Sequence, residues 1–471
     1  MTSRRGIGFE NMVLGLLLIG IFMAACLMPA QSDSYWHLRA GQDIWRTHHI
    51  SFVEAYSHTA AGSFWPNHEW LWQAFAYALY HLSGMPLLVG AAAAIVTTAF
   101  GLTYRLMVGA PTTRLVLMLI GVPLCACLWE LRPQVVSLTL LVLMVSLLAS
   151  ERTRWLPLLF VLWANVHGAV ALGGAVLAGT AGLSLVAARD GAPEQRRRAL
   201  RLGALTLVCG VSTALTPLGT RLWTFIGESM TRSREASIIE WLPAYPRGPI
   251  EIAFLAVALA FIILLALRWR KLDGWSDRVV VVAAVVMLPL ALRAVRNIPP
   301  FILLAMPAAS RLLGADFRAT RPAPTPTIDH PRLNLGVLLG FAAAAIGVIA
   351  FAWSQPLPIL RWEPLPPGVV AALRACPGPL YNRYGDGGFV IWFAPEKPVF
   401  VDSRLDPYAA AFVVESARAE ETGQVDALIA RYGVRCALLP PGSPTRTRLA
   451  GAGWRPTYSD EAWTVLEPGA R

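Results

Sequence analysis

The chain has 471 residues, 55% of them hydrophobic and only 15% charged, with a mean hydropathy of +0.52. That balance excludes an ordinary soluble enzyme, because apolar runs near the roughly 20 residues that cross a bilayer as a helix recur throughout. The formal net charge is +11, yet no basic run is interleaved with aromatic residues as a nucleic-acid site requires, so no nucleic-acid partner is expected. The Arg residues cluster instead in short loops: Arg105 and Arg114, Arg152 and Arg154, then 189–201, 268–278 and 311–332. Placing those loops in the cytoplasm follows the positive-inside rule.

In chain order, the first apolar run (12–30) follows Arg4 and Arg5 and reads as a retained first helix, since no small-residue cleavage site is evident and many spans follow. Residues 31–72 then hold Asp33, His37, Asp43, Glu54, His68 and Glu69 between two apolar runs. A connector of about forty residues is usually functional or disordered, and its Trp, Tyr and His content argues against disorder. This is the candidate active-site loop. Asp33 stands before an interfacial helix over 34–45. It either caps that helix or acts as a general base near the membrane surface, and the two roles are compatible. Asn67-His68-Glu69-Trp70 reads as a second helix start, with His68 and Glu69 able to orient a substrate or tune a nearby acid. The histidine spacing fits no zinc signature, so neither metal nor cofactor is expected. Segment 69–82 is too short and aromatic for a span and reads as interfacial or oblique.

Further spans fall at 85–105, 115–131, 134–150, 155–167, 169–188, 200–216, 250–268, 279–295, 298–313 and 335–353, making about eleven in all. With the N-terminus inside, the Asp33 loop, Arg132, His167, the 217–249 loop, the Arg293–Arg296 turn and the C-terminal region all fall outside the cytoplasm. Arg132, Arg293 and Arg296 lie at helix ends against the prevailing charge bias. Ionisable groups at such depth are functional candidates, and Arg suits a bidentate grip on phosphate. Alternatively they snorkel to headgroups or pair with Glu130 and Glu240. Asn165 and His167 either shape the turn between two apolar runs or face a substrate.

Residues 314–331 are Pro-rich and read as a cytoplasmic linker. Past about residue 360 short apolar runs (380–381, 389–393, 399–401, 436–439, 463–466) mix with helical patterns over 411–421 and 425–432, which suggests a small α/β domain. Two domains follow: 1–355 in the membrane and 356–471 outside it. Tyr384-Gly-Asp-Gly-Gly388 lacks the Lys-Ser/Thr of a phosphate loop and reads as a turn between strands. Asp402-Ser-Arg404-Leu-Asp406 is a polar cluster after a strand. Cys26, Cys125, Cys127 and Cys209 lie in spans, whereas Cys376 and Cys436 leave a disulfide open. A short tether after the last span is expected to pack the C-terminal domain over the 31–72 loop and to help enclose the acceptor site, with Tyr384–Gly388 or Asp402–Asp406 facing the cavity.

These residues resemble the C-type (GT-C) integral-membrane glycosyltransferases, a class that includes protein O-mannosyltransferases and the enzymes that add sugars to lipid A. Asp33 matches the acidic residue early in their first large loop, 35–45 their juxtamembrane helix, and Asn67-His68-Glu69-Trp70 their second motif. Ser34 stands where many members carry a second acidic residue. The likeness is strongest over about 10–110 and architectural beyond it. It implies a polytopic all-α fold with a small extracytoplasmic α/β domain, in the cytoplasmic (inner) membrane of a bacterium. It also implies a polyprenyl-phosphate sugar donor and an extracytoplasmic glycan, lipid or protein acceptor. Asp33 and Glu69 would be catalytic, and His37, His68, Arg132, His167, Arg293 and Arg296 would bind substrate. The rival readings are a polytopic transporter, for which repeated halves are missing, and a non-catalytic envelope-binding protein.

Overall fold

The computed structural model describes residues 7–189, 193–235, 238–272, 274–314 and 330–469, so most of the Pro-rich segment 314–331 lies outside the described residues. The chain forms two compact units. One comprises Met1–Met28, Pro86–Leu222 and Ile239–Gln355; the other comprises Pro29–Met85, Trp223–Ile238 and Pro356–Arg471.

The first unit is a bundle of apolar helices, and each run read as a span has a helix at its place. Among the described residues, five helices are long and apolar enough to cross a membrane: Trp70–Leu106, Val170–Ala187, Pro249–Lys271, Trp275–Arg293 and Pro331–Ser354. Phe9–Ala25, Pro111–Ala126 and Gln134–Ala149 are apolar but shorter. This is a polytopic membrane-protein fold. Trp275–Arg293 forms its core, burying every residue from Val279 to Ala284 and packing along Ile298–Gly314. Pro249–Arg268 instead exposes Ile252, Leu259, Ile263 and Leu267, as a lipid-facing helix does. Arg311, which the sequence suggests is a loop charge, is buried against Asp277 and donates to the Leu106 carbonyl at 2.8 Å.

In the second unit, the helix Ser32–Thr47 is capped by Gln31, whose side chain and that of Ser34 satisfy each other's backbone amides. Asp33 therefore does not cap it, as the sequence allowed. It sits inside the first turn, where a negative charge meets the positive end of the helix dipole. The helix Trp70–Leu106 breaks at Ser83 and Gly84. Gly84 has a φ of +66°, which side chains disfavour, and Pro86 then suits a fresh first turn. The sequence separation of 69–82 from the following span reflects that break.

The C-terminal residues build a four-stranded sheet from β1 (Leu380–Asn382), β2 (Cys436–Leu439), β3 (Trp454–Ser459) and β4 (Thr464–Pro468), in the order β1-β2-β4-β3. β1 and β2 are parallel, with Leu380 opposite Cys436, so helices Ala410–Thr422 and Asp426–Arg431 supply the crossover that a parallel pair needs. β4 runs antiparallel to β2 and β3. Cys-Ala-Leu-Leu in β2 is buried throughout, which suits a central strand covered on both faces. A disulfide joins Cys376 to Cys436 across a Cα–Cα distance of 5.8 Å.

Two short apolar runs take a form other than strand. Residues 389–393 belong to the helix Gly387–Phe393, which packs on Ser32–Thr47. Residues 399–401 form no strand; Val399 makes an isolated bridge to Ser57. Edge strand β3 is largely exposed, so no apolar run betrays it. The 31–72 loop lies against the C-terminal residues: Thr59 Oγ1 donates to the Phe400 carbonyl at 2.5 Å and Ser63 Oγ to that of Pro407 at 2.9 Å.

Candidate active site

Asp33 Oδ1 accepts hydrogen bonds from Trp36 Nε1 at 3.2 Å and from Ser403 Oγ. The first donor is one helical turn away, whereas the second comes from the Asp402–Asp406 cluster. That cluster is built around a buried cation. Arg404 Nη1 meets Glu54 Oε2 at 2.5 Å and its Nη2 meets Asp402 Oδ2 at 2.6 Å, with side-chain exposures of 1%, 0% and 0% for Arg404, Glu54 and Asp402. Tyr56 and Trp65 lie on the guanidinium, each ring centre 4.8 Å away. Tyr408 donates to Asp402 Oδ2 at 2.7 Å, and Glu54 Oε1 accepts the amides of Tyr56 and Ser57, both at 2.7 Å. Burial would raise the Asp402 carboxyl, but Arg404 and the hydrogen bonds outweigh it and hold it below the usual carboxylate range. Glu54, Asp402 and Arg404 thus fasten the loop to the C-terminal domain.

Glu69 stands between two imidazoles, with His37 Nε2 3.7 Å from Oε2 and His68 Nε2 3.5 Å from Oε1. His68 Nδ1 lies 3.1 Å from the Pro66 carbonyl, which can only accept, so Nδ1 carries a proton. Asp406 shares this field: burial pushes its carboxyl up to about 7, opposed by His68 and reinforced by Glu69. Phe225 packs on His68 at 4.7 Å, and Ser229 and Arg232 reach Asp406 at 3.5 and 3.3 Å. All three belong to the helix Arg221–Glu235, inside what the sequence presents as a plain 217–249 loop. The segment 403–406 therefore touches Asp33 through Ser403, while Asp406 lies within the electrostatic reach of His68 and Glu69.

The first unit holds the other candidates. Arg132 pairs with Glu130 and, at 2.6 Å, with Glu240; Arg296 lies over the Trp241 ring at 4.4 Å. Burial would raise the Glu240 carboxyl, but Arg132 and Arg296 together hold it below the usual range. A cavity is lined by Glu240, Arg296, Asn297, Gln134, Ser137 and His167, among others. Ser137 Oγ accepts from Trp163 Nε1 and lies 2.8 Å from His167 Nδ1, so its own hydrogen is available to that nitrogen. Arg132, Arg296 and His167 are thus gathered around Glu240 and this cavity. Arg293 is exposed at the end of its helix and does not line it. Asn165 ties its turn by donating to the Val161 and Leu215 carbonyls. Among the described residues, no group of three or more His, Cys, Asp or Glu side chains is arranged to hold a metal ion.

No family model matches the sequence, and no curated protein does. Solved structures do. ArnT from Cupriavidus metallidurans, bound to undecaprenyl phosphate, is similar with a TM-score of 0.51 at 13% identity, over 98% of this chain and 99% of that one. The oligosaccharyltransferase AglB from Archaeoglobus fulgidus, in complex with an inhibitory peptide and a dolichol-phosphate, gives a TM-score of 0.52 at 11% identity, over 91% of this chain and 69% of that one. The Archaeoglobus fulgidus oligosaccharyltransferase tethered to an acceptor peptide gives 0.50 at 13% identity, with the same coverage of 91% and 69%. Both proteins are GT-C glycosyltransferases.

The chain has the GT-C fold.

On that fold, the residues that sequence reasoning missed are Ser403 as a partner of Asp33, Asp406 beside Glu69, and the face of Arg221–Glu235 that carries Phe225, Ser229 and Arg232. A signal existed for the first two, since three charged residues within five positions follow a buried apolar run at 399–401. It marked a cluster expected to face the 31–72 loop but not the pairing itself, because Ser403 and Asp33 are 370 positions apart.

Proposed function

We propose that this protein is a membrane glycosyltransferase that moves a sugar from a polyprenyl-phosphate donor to an acceptor hydroxyl outside the cytoplasm. The observation that carries this reading is the end-to-end likeness to ArnT, a structure bound to undecaprenyl phosphate, over 98% of this chain and 99% of that one. Asp33 takes the proton of the acceptor hydroxyl as its oxygen attacks the anomeric carbon. The bond from that carbon to the phosphate oxygen breaks, and its electron pair leaves with the lipid phosphate. Arg132 or Arg296 exchanges its contact with Glu240 for the phosphate, where negative charge develops; Arg293 is a surface candidate for the same task. Glu69, with His37 and His68, positions the sugar or the acceptor, and His167 lines the lipid-phosphate cavity.

The proposed orientation places the N-terminus in the cytoplasm and the Asp33 loop and C-terminal domain outside the inner membrane of a bacterium. Arg-rich short loops favour the cytoplasmic side, and the Cys376–Cys436 disulfide suits an oxidising compartment. The test is reconstitution in vesicles with radiolabelled polyprenyl-phosphate hexose or pentose and fractionated envelope acceptors. Label should pass from the lipid to a glycan, lipid or protein fraction. Label that stays on the lipid with every donor and acceptor fraction would overturn the reading.

A further inference from the structure

Two C-terminal motifs close on the first turn that carries Asp33. From one, Ser403 Oγ donates to Asp33 Oδ1. From the other, the Gly388 amide donates to Ser32 Oγ at 2.9 Å, and a Cβ added to Gly388 would stand 2.0 Å from the Ser32 carbonyl oxygen. Only glycine allows that approach. Tyr384 of the same motif donates to the carbonyl of Ser403 itself at 3.0 Å.

Ser403 is held firmly. Asp402 and Arg404 on either side of it are buried in the ion triad with Glu54. Leu405 has a φ of +59°, a left-handed conformation that a branched side chain keeps only where its surroundings over-determine it. A displaceable plug that mimics an acceptor hydroxyl would need a segment able to leave, and these contacts argue against that. A fixed donor has a different use. Hydrogen bonds to ionised groups are about twice as strong as neutral ones, so Ser403 and Trp36 together restrict the carboxylate to one rotamer.

We propose, on the transferase reading above, that Ser403 is a positioning residue for Asp33, so that the C-terminal domain completes the catalytic base. The Tyr384–Gly388 motif holds the backbone of the helix start, and the Asp402–Asp406 motif aims the carboxylate. Misplacing a reacting group by about 1 Å can cost about 100-fold in rate.

The test compares wild type, Ser403→Ala and Ser403→Thr in the reconstituted transfer assay and by infrared spectroscopy, with the Asp33 carboxylate band assigned by its loss in Asp33→Asn. Ser403→Ala should lower kcat roughly 10- to 100-fold with the donor KM nearly unchanged, and should move the Asp33 band. Ser403→Thr, which keeps the hydroxyl, should restore both. A merely structural Ser403 would change the melting temperature without this pattern of rescue, and that result would overturn the proposal. So would an Asp33 band that stays in place in Ser403→Ala. A wild type that transfers nothing would instead overturn the transferase reading, and the band alone would then decide whether Ser403 holds Asp33.

Discussion

Arg404 is a buried cation between two buried carboxylates, and a group of that kind is costly to break. Removing it leaves Glu54 and Asp402 without a counter-charge, a loss of about 3–5 kcal/mol for a buried pair. Arg404→Ala is therefore expected to lower the thermal midpoint in detergent by far more than an exposed substitution such as Arg448→Ala. Equal midpoints would mean that water screens the triad. Asp406 makes a prediction in pH. Burial pushes its carboxyl up to about 7, whereas an Asp in an unfolded chain titrates near about 3.9. Between those values the folded chain holds a proton that the unfolded chain releases, so stability falls as pH rises through that window. Asp406→Asn removes this dependence. Its melting temperature should gain on wild type from about pH 4 to about pH 7 and hold the margin above that; a margin that stays flat from the start would contradict the assignment.

At the scale of elements, the Asp33 helix depends on two close approaches. A Cβ on Gly41 would meet the Gln73 carbonyl oxygen at 2.1 Å, and one on Gly388 would meet that of Ser32 at 2.0 Å. Backbone cannot yield as a flexible side chain can, so Gly388→Ala is expected to cost at least the roughly 1–3 kcal/mol typical of overpacking and to reduce transfer with it. A variant with wild-type melting and turnover would show that the helix Gly387–Phe393 is free to shift. These elements also show what the sequence could reveal. The helix start near Asp33 was legible from residue types, but its cap was misjudged because Gln31 and Ser34 satisfy each other and leave Asp33 for other work. The glycines of Tyr384–Gly388 suggest a turn that faces the loop, but nothing local signals the helix Gly387–Phe393 that they begin. The helix Arg221–Glu235 was missed because its mixed charge reads as a solvated loop.

For the whole molecule, the membrane helices were legible because lipid demands long apolar runs with internally satisfied backbones, and that signal is local. The C-terminal sheet was legible in part, through buried strands such as β2 and not through exposed β3. The grouping of Pro29–Met85 with Pro356–Arg471 in one compact unit rests on contacts between residues hundreds of positions apart. Spacing within a single sequence carries no record of such contacts, even though a short tether made the packing reasonable. The catalytic role of Asp33 is open to one direct measurement: sugar transfer from labelled polyprenyl-phosphate donor in vesicles by wild type and Asp33→Asn, at matched expression and matched lipid binding. The substitution keeps the shape of the side chain and removes its charge, so the expected result is active wild type and a variant slower by at least about 100-fold, the lower end of what a general base contributes. Turnover by Asp33→Asn equal to wild type would contradict the assignment of Asp33 as the base.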